Sequence, residues 1–402
     1  MKRSSKLVSI VLIAISLLVS CKKDEVTSPT TAPSYSVPNS YDFKNSNGVS
    51  TVDFSGQKTR LVMLDQFSVL MGGTEPISEA TLLSMYDGTG FPVDSLTTSG
   101  KKLSDKTAAS VDYFGGINAE QLDIRNKFKS LFKDAEVLTN GTAEASKGVS
   151  GYYMDGTKKR YFNANGLEPQ QVFVKGMMGA CLLDQVVNNY LSKLKLDAGS
   201  NVSNNTNKVV ESGKTYTTME HAWDEAYGYI YGNDNLSTNP AVYKYWSSYI
   251  NQVDADPNFS GIKDVILKAF IRGRAAISNS DYTTRDAQIT IIKKELAKVP
   301  AIRAVYYLNE GKTKLGTHDG KAAFHTLSEA YGFIWSLRFT QNPLTKAPYF
   351  SKEEVDAMMN DMIKDQNGLY AVDYLSSVLD EIAEKIAARF GFTVEQAIDA
   401  TR

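Results

Sequence analysis

The sequence predicts an all-α protein, an internally duplicated helical bundle with an extended N-terminal arm. Apolar residues recur at helical spacing, as at Ile124, Phe128 and Phe132, which share one helix face. Strand signals are scarce beyond the arm. The third observation is a repeat: HAWDEAYGYIYG at residues 221–232 returns as HTLSEAYGFIWS at residues 325–336. Such a recurrence predicts two copies of one helical unit.

The elements follow from the pattern of apolar and turn-forming residues. Residues 35–54 are expected to form an extended arm or short hairpin, and residues 87–111 and 197–214 are expected to be long loops. Residues 168–194 are predicted to form one long helix, and its apolar character on most sides around residues 174–187 indicates a central, buried position. Pro300 is expected to kink the helix that contains it. The predicted helices cover residues 57–71, 77–86, 118–138, 168–194, 217–232, 242–253, 261–278, 284–309, 319–339, 352–364, 371–390 and 394–401.

The first twenty residues have the pattern of a signal peptide. Three basic residues precede an apolar run at residues 7–19, which is too short to span a bilayer. The sequence Leu-Val-Ser-Cys ending at Cys21 resembles the lipobox of bacterial lipoproteins. That resemblance implies removal of residues 1–20 and acylation of the Cys21 thiol. An ordinary signal peptide followed by an incidental cysteine is the alternative.

Residues 21–38 are predicted to form a lipidated, disordered tether to the membrane, and residues 39–402 a helical domain with two pseudo-repeated halves. Lys-Lys-Asp-Glu directly after Cys21 resembles the surface-export signal of Bacteroidetes-type lipoproteins. The resemblance implies an outer-membrane lipoprotein on the cell surface. A merely solvated start to the tether is the alternative.

Composition excludes some classes of protein. Removing the three basic residues of the signal peptide lowers the formal charge from −1 to −4, which gives no basic bias for binding nucleic acid. The two cysteines are Cys21 and Cys181. If Cys21 is lipidated, no internal disulfide can form, and Cys181 is expected to be a buried small hydrophobic residue.

The repeated stretch confines its polar and small residues to one narrow helix face. A residue and those four, seven and eleven positions later lie within about 60° of one another on an α-helix. The opposite face is also apolar, so both helices are expected to be buried nearly all round. Small residues on the polar face indicate that another backbone passes close by. The residues on this face are His221, Glu225, Gly228 and Gly232 in one copy and His325, Glu329, Gly332 and Ser336 in the other.

Buried histidines and glutamates require partners, and two interpretations supply them. In the structural one, each pair bonds to itself or to neighbouring groups. In the other, His221, Glu225, His325 and Glu329 converge on a metal ion, and nitrogen with carboxylate ligands suits iron or zinc. The third histidine, His318, is expected in an exposed turn. The sequence contains no G-x-S-x-G, Walker, H-E-x-x-H or dinucleotide-binding motif, so an enzyme such as a metallopeptidase ranks third among the functional classes.

Three stretches resemble an uncharacterised family of Bacteroidetes-type helical lipoproteins, a domain of unknown function. They are the aromatic arm with its following helix at residues 35–64, Lys-Gly-Met-Met-Gly-Ala at residues 175–180, and Trp-Asp-Glu-Ala at residues 223–226. The resemblance covers most of the chain from residue 35 onward and implies a location more than a function.

The chain also has a more distant imelysin-like resemblance, to helical, internally duplicated proteins tied to iron acquisition. Their marker is G-x-H-x-x-E, whereas here the spacing is His-x-x-x-Glu and Met219 stands in the glycine position. Two hypotheses follow. The first is a surface lipoprotein that binds iron or haem, or assists a receptor in its uptake. The second is a lipoprotein that presents tyrosine-rich surfaces to a glycan or a partner receptor, with a purely structural motif.

Overall fold

The computed structural model describes residues 34–316, 320–364 and 367–398. The chain divides into the units Met1–Ser34 and Tyr35–Arg402. The fold given below is that of the second unit.

Several sequence predictions fall outside the described residues. They concern the signal peptide at residues 1–20, the lipidation of Cys21, the tether up to residue 33, and the turn at His318. These stay predictions. Asp319, the first residue of one predicted motif helix, also lies outside the described ranges.

Helices dominate the described residues, which confirms the all-α prediction. The exception is one antiparallel hairpin, formed by β1 (Gly151–Asp155) and β2 (Lys158–Phe162). The helices are α1 (Ser55–Met71), α2 (Glu79–Tyr86), α3 (Asp94–Thr97), α4 (Ala119–Asn140), α5 (Pro169–Met177), α6 (Lys193–Leu196), α7 (Asn201–Thr206), α8 (Thr218–Tyr231), α9 (Trp246–Asp254), α10 (Ile262–Ser278), α11 (Tyr282–Lys314), α12 (Lys321–Leu337), α13 (Lys352–Ile363), α14 (Val372–Phe390) and α15 (Val394–Ile398).

The prediction of a central, buried helix at residues 168–194 is confirmed, but its geometry differs from the expected one. α5 begins with Pro169 and continues as two π-helical segments, Met178–Leu183 and Val186–Tyr190. Every residue from 171 to 192 is buried. The apolar residues on all sides therefore place this segment in the centre of the core.

Partners outside the helix explain the π-helical turns. A π turn frees backbone carbonyls from the usual α-helical pairing. The carbonyl of Met178 accepts a hydrogen bond from the indole N–H of Trp246 at 2.9 Å, and the carbonyl of Ala180 accepts one from the Ala108 N–H at 2.7 Å. These donors come from distant parts of the chain, so local sequence cannot predict the π turns.

The two long helices α11 and α12 pack together and bring most of the other helices into one body. α11 also contacts α10 and α14, and α12 also contacts α5 and α13. α11 is longer than the predicted helix at residues 284–309 and runs without interruption through Pro300. Its middle is buried on nearly all sides, so tertiary packing offsets the hydrogen bond that proline removes.

The N-terminal arm packs against the first motif helix. Its turn is closed by an isolated bridge between Lys44 and Ser50, which agrees with the predicted short hairpin. Tyr41 stacks on Tyr227 of α8 with ring centroids 3.6 Å apart. The arm therefore belongs to the core contacts of α8.

Two other observations bear on the sequence predictions. Cys181 is a free, fully buried thiol, as predicted, and burial raises its pKa to about 12. Among the described helices, none combines the length and the apolar character required of a membrane span.

Candidate functional site

The two motif helices are α8 and α12, and a capping box fixes the start of α8. The Thr217 hydroxyl accepts a hydrogen bond from the Glu220 N–H at 3.2 Å, and the Glu220 carboxylate accepts one from the Thr217 N–H at 2.9 Å. α12 begins after Gly320, which has a positive φ of 83°. The second motif helix therefore starts slightly later than the predicted residue 319.

The first pair of motif residues is held by side chains from outside α8. The His221 ring stacks on Tyr216 with centroids 4.5 Å apart, and its Nδ1 is buried without a hydrogen-bond partner among the described residues. Glu225 accepts hydrogen bonds from Gln57 Nε2 at 2.8 Å and from the Tyr190 hydroxyl at 3.1 Å. Burial raises the pKa of Tyr190 well above its usual value, so the hydroxyl remains a donor.

The second pair lies in a network of charges. His325 Nδ1 is 2.6 Å from Glu168 Oε2 and 2.8 Å from Arg160 Nη1. A proton on Nδ1 makes His325 the donor to Glu168, and Arg160 then acts on Glu168 as a charge 3.7 Å away. His325 Nε2 is 3.8 Å from Glu329 Oε2, too far for a hydrogen bond. The close partner of Glu329 is Lys175, at 3.0 Å.

Nearby positive charges affect the pKa of Glu329 more strongly than burial does. Burial alone raises the pKa of this carboxyl group, but the charges of Lys175, His325 and Arg303 lower it, and the net effect is a lowered pKa. Glu329 is therefore an anion in the folded protein at neutral pH.

The structure does not bring the two pairs together. Within the described ranges, no group of three or more His, Cys, Asp or Glu side chains is arranged to hold a metal ion. The convergence of His221, Glu225, His325 and Glu329 on iron or zinc is therefore not found. The physical reason is that each carboxylate already has other partners. Glu225 bonds to Gln57 of α1 and to Tyr190 of the second π-helical segment, and Glu329 pairs with Lys175 of α5.

Two of the three glycines in the motif have the predicted close contact with another helix. A Cβ added to Gly228 would lie 2.4 Å from the Cβ of Phe54, and one added to Gly332 would lie 2.5 Å from the Cβ of Lys175. Gly232 differs, since it is the C-cap of α8 and the atoms nearest to an added Cβ belong to Gly228. Gly232 is therefore a helix-end residue and not an inter-helix contact.

The opposite face of each motif helix also meets a glycine. A Cβ on Gly273 of α10 would lie 2.0 Å from the Trp223 ring, and one on Gly311 of α11 would lie 2.3 Å from Leu327 Cδ2. Trp223 and Leu327 occupy equivalent places in the repeat. α8 thus lies between α1 and α10, and α12 between α5 and α11. These two three-helix sets are interleaved along the chain, and the division into two consecutive halves stays a prediction.

A buried charge cluster on α8 was missed by the sequence analysis. The guanidinium of Arg274 lies 2.9 Å from Asp224 and 2.8 Å from Glu220, and the Tyr41 hydroxyl donates to Asp224 at 2.7 Å. Asp224 and Arg274 are completely buried. Burial raises the pKa of Asp224 although Arg274 opposes it. The cluster ties the arm, α8 and α10 together and has no access to solvent for chemistry.

An open cavity of about 790 Å³ lies beside the second pair and not beside the first. Its walls come from α9, α11 and α12 and from the segment before α9. Its size is that of a site for a small molecule. The lining residues are Ala241, Tyr243, Ser248, Asn251, Gln252, Ala255, Arg303, Tyr306, Tyr307, Glu310, Lys314, His325, Thr326 and Glu329.

The charged groups of the cavity are mostly paired. Glu310 lies 2.9 Å from Lys314, and Glu329 lies 3.0 Å from Lys175. Arg303 differs: its side chain is buried, its Nε has no hydrogen-bond partner, and no ion pair joins it to a carboxylate among the described residues. The cavity therefore contains one cation in excess.

Aromatic rings surround that cation. The guanidinium carbon of Arg303 is 4.2 Å from the Tyr306 centroid, 4.5 Å from the Tyr307 centroid and 5.7 Å from the Tyr249 centroid. Burial raises the pKa of Tyr249 and Tyr307, so both stay neutral. Neutral rings stabilise the cation through their faces and leave its in-plane N–H groups available.

Sequence analysis identified His325 and Glu329 but missed the rest of this site. Arg303 lies in a predicted helix, and its spacing to Tyr306 and Tyr307 places the three side chains on one helix face. That spacing was the available signal. No local signal relates Arg160, on the hairpin, to His325, because the two are 165 residues apart.

The fold and the cavity define an all-α protein with an open cavity lined by polar and aromatic side chains. The chain belongs to the family described as Domain of unknown function (DUF4856), whose model matches residues 38–393. The prediction of an uncharacterised domain family is thereby confirmed, while the Bacteroidetes-type and imelysin-like resemblances stay predictions. No curated protein and no solved structure matches the chain.

Proposed function

We propose that the protein is a lipid-anchored binding protein of the cell surface, whose cavity beside His325 and Glu329 holds a carbohydrate. The observation that carries the proposal is the cavity of about 790 Å³, open to solvent in a body whose other motif helix is closely packed. A cavity that combines aromatic and polar walls suits a ligand with both apolar faces and many hydroxyl groups.

The lining supplies both kinds of contact. Tyr243 is half-buried and offers an aromatic ring to the cavity, while Ser248, Asn251 and Gln252 supply hydroxyl and amide groups. Amide and hydroxyl side chains both donate and accept hydrogen bonds. These features favour the glycan hypothesis over direct binding of an iron ion, because no group of three or more His, Cys, Asp or Glu side chains among the described residues is placed to hold one.

Lipid anchoring through Cys21 and exposure on the outer membrane belong to the same proposal. They are supported by the basic, apolar and cysteine pattern of residues 1–21 and by the acidic residues that follow it. An anchored binding protein would keep a captured glycan at the cell surface.

A glycan array probed with the purified mature protein tests this function. The variant Tyr243→Ala removes the ring from the cavity. Tyr152→Ala is a matched control, because Tyr152 is also half-buried and also lies under a lysine: Lys159 Nζ is 4.4 Å from its centroid, and Lys263 Nζ is 4.8 Å from that of Tyr243.

We expect the wild type and Tyr152→Ala to bind the same glycans and Tyr243→Ala to bind them about fivefold more weakly, since stacking on a ring contributes on the order of 1 kcal/mol. An array without any bound glycan, or equal binding by both variants, would refute the proposal.

A further inference from the structure

The cavity beside α12 holds a buried guanidinium that the protein itself leaves without an anion. Arg303 is 6% exposed, lines the cavity, and has no hydrogen-bond partner for Nε among the described residues. Arginine stays charged at all physiological pH values. A buried, unpaired cation is costly, so an anion in the cavity would complete its environment.

The neighbouring carboxylates are already matched with other cations. Glu310 is 2.9 Å from Lys314, Glu329 is 3.0 Å from Lys175, and Glu168 is 3.7 Å from Arg160. Glu329 does feel the charge of Arg303, but after those of Lys175 and His325. The surplus positive charge therefore stays with Arg303.

The tyrosines hold the guanidinium without occupying its donors. The rings of Tyr306 and Tyr307 lie 4.2 and 4.5 Å from its central carbon. Contacts with ring faces leave the N–H groups, which lie in the guanidinium plane, free to donate. Two such donors match the two oxygens of a carboxylate, and a sulfate presents the same spacing of oxygens.

We propose that the cavity recognises an acidic carbohydrate, whose carboxylate or sulfate group binds Arg303. This inference rests on the proposed function and specifies its ligand class. Sugar hydroxyls contact the polar wall near Tyr243, while the anionic group reaches the deeper cation. Neutral sugars lack the group that Arg303 requires and bind more weakly.

The experiment uses the mature protein and three sets of oligosaccharides: uronate-containing, sulfated and neutral. Affinities are measured by calorimetric titration for the wild type, Arg303→Gln and Arg303→Lys. Lys268→Gln is the charge-matched control, because Lys268 is exposed and pairs with Asp264 on the same exposed face of α10. Thermal unfolding of each variant verifies that it folds.

We expect the acidic sets to bind the wild type and the control equally, and Arg303→Gln to lose about tenfold to a hundredfold in affinity, as for a lost charged hydrogen bond. Arg303→Lys keeps the positive charge and should retain part of the affinity. This variant replaces Arg303→Gln in the test if Arg303→Gln does not fold. A stronger response to the uronate set than to the sulfated set, or the reverse, identifies the anionic group.

Two outcomes would contradict the proposals, and the experiment distinguishes them. Tight binding of neutral sugars that is unchanged in Arg303→Gln or Arg303→Lys overturns the acidic ligand but keeps the carbohydrate function. Absence of binding in all three sets overturns both proposals.

Discussion

The carboxylate of Glu329 lies 3.0 Å from the ammonium group of Lys175, and both side chains are about nine-tenths buried. The pair joins the second motif helix to the central helix α5 at the crossing where Gly332 lies against Lys175. Glu329 also lines the cavity beside α12. Several consequences of this arrangement can be measured.

Removing Lys175 should destabilise the protein. Lys175→Met leaves Glu329 buried without its main cation, and breaking one side of a buried ion pair costs about 3–5 kcal/mol. Urea unfolding at pH 7 measures the loss. Lys268→Met, which breaks an exposed pair, should change little. If Lys175→Met unfolds like the wild type, the pair is not a structural contact.

The same pair predicts a pH dependence. The pKa of Glu329 is lowered in the folded protein, so the stability that it supplies is fully present above the unfolded pKa near 4.5 and is lost as the pH falls through the folded value. In Lys175→Met burial dominates and the folded pKa rises. Protonation of Glu329 then stabilises the variant as the pH falls towards 4.5, whereas the wild type loses its contribution below 4.5, so the difference in stability between wild type and variant should shrink across both ranges.

The glycine contacts of the motif helices should tolerate no side chain. Gly273→Ala and Gly311→Ala place a methyl group 2.0 Å from the Trp223 ring and 2.3 Å from Leu327, and overpacking costs about 1–3 kcal/mol. Gly316→Ala is the control, because no atom lies within 4 Å of its added Cβ. Equal melting temperatures for the three variants would contradict the packing described for α8 and α12.

Lys293 should titrate below ordinary lysines. Burial lowers its pKa to about 8, and its ammonium group donates to Gln341. The unfolded state then binds more protons than the folded state between pH 8 and 10.5, so stability contributed by this group rises with pH across that window. Lys293→Met should remove the rise, whereas Lys268→Met should retain it. Identical pH profiles for both variants would show that burial does not lower the pKa of Lys293.

The four motif residues should not share a metal ion. Purified wild type and His221→Ala/His325→Ala should contain the same iron and zinc by elemental analysis, because the two pairs have separate partners. Stoichiometric metal in the wild type that disappears in the double variant would restore the iron hypothesis.

Much of the fold could be predicted from periodicity alone. The stripes of apolar residues predict the helices, and the apolar stretch at residues 174–187 predicts the buried centre. The hairpin was missed although Gly156-Thr157, a turn that begins with glycine, lies between two aromatic segments and is a hairpin signal. The π turns could not be predicted, because they depend on donors such as Trp246.

The candidate site shows the same limit. Helix geometry places His325, Glu329 and Gly332 on one face, and the structure confirms that this face contacts another helix. Geometry within one helix does not reveal which helix that is. No metal-binding group joins the four motif residues of α8 and α12 within the described ranges, and the lack of a carboxylate partner for Arg303 depends on ion pairs made elsewhere in the fold.

Hydrogen exchange tests the central claim, that the cavity is the binding site, most directly. Exchange is compared with and without a glycan selected on the array. Protection in Trp246–Asp254 and in the peptides around Arg303 and His325, with α1 and α8 unchanged, is the predicted result. Protection confined to the arm or to α8, with the cavity helices exchanging as in the free protein, would contradict the account.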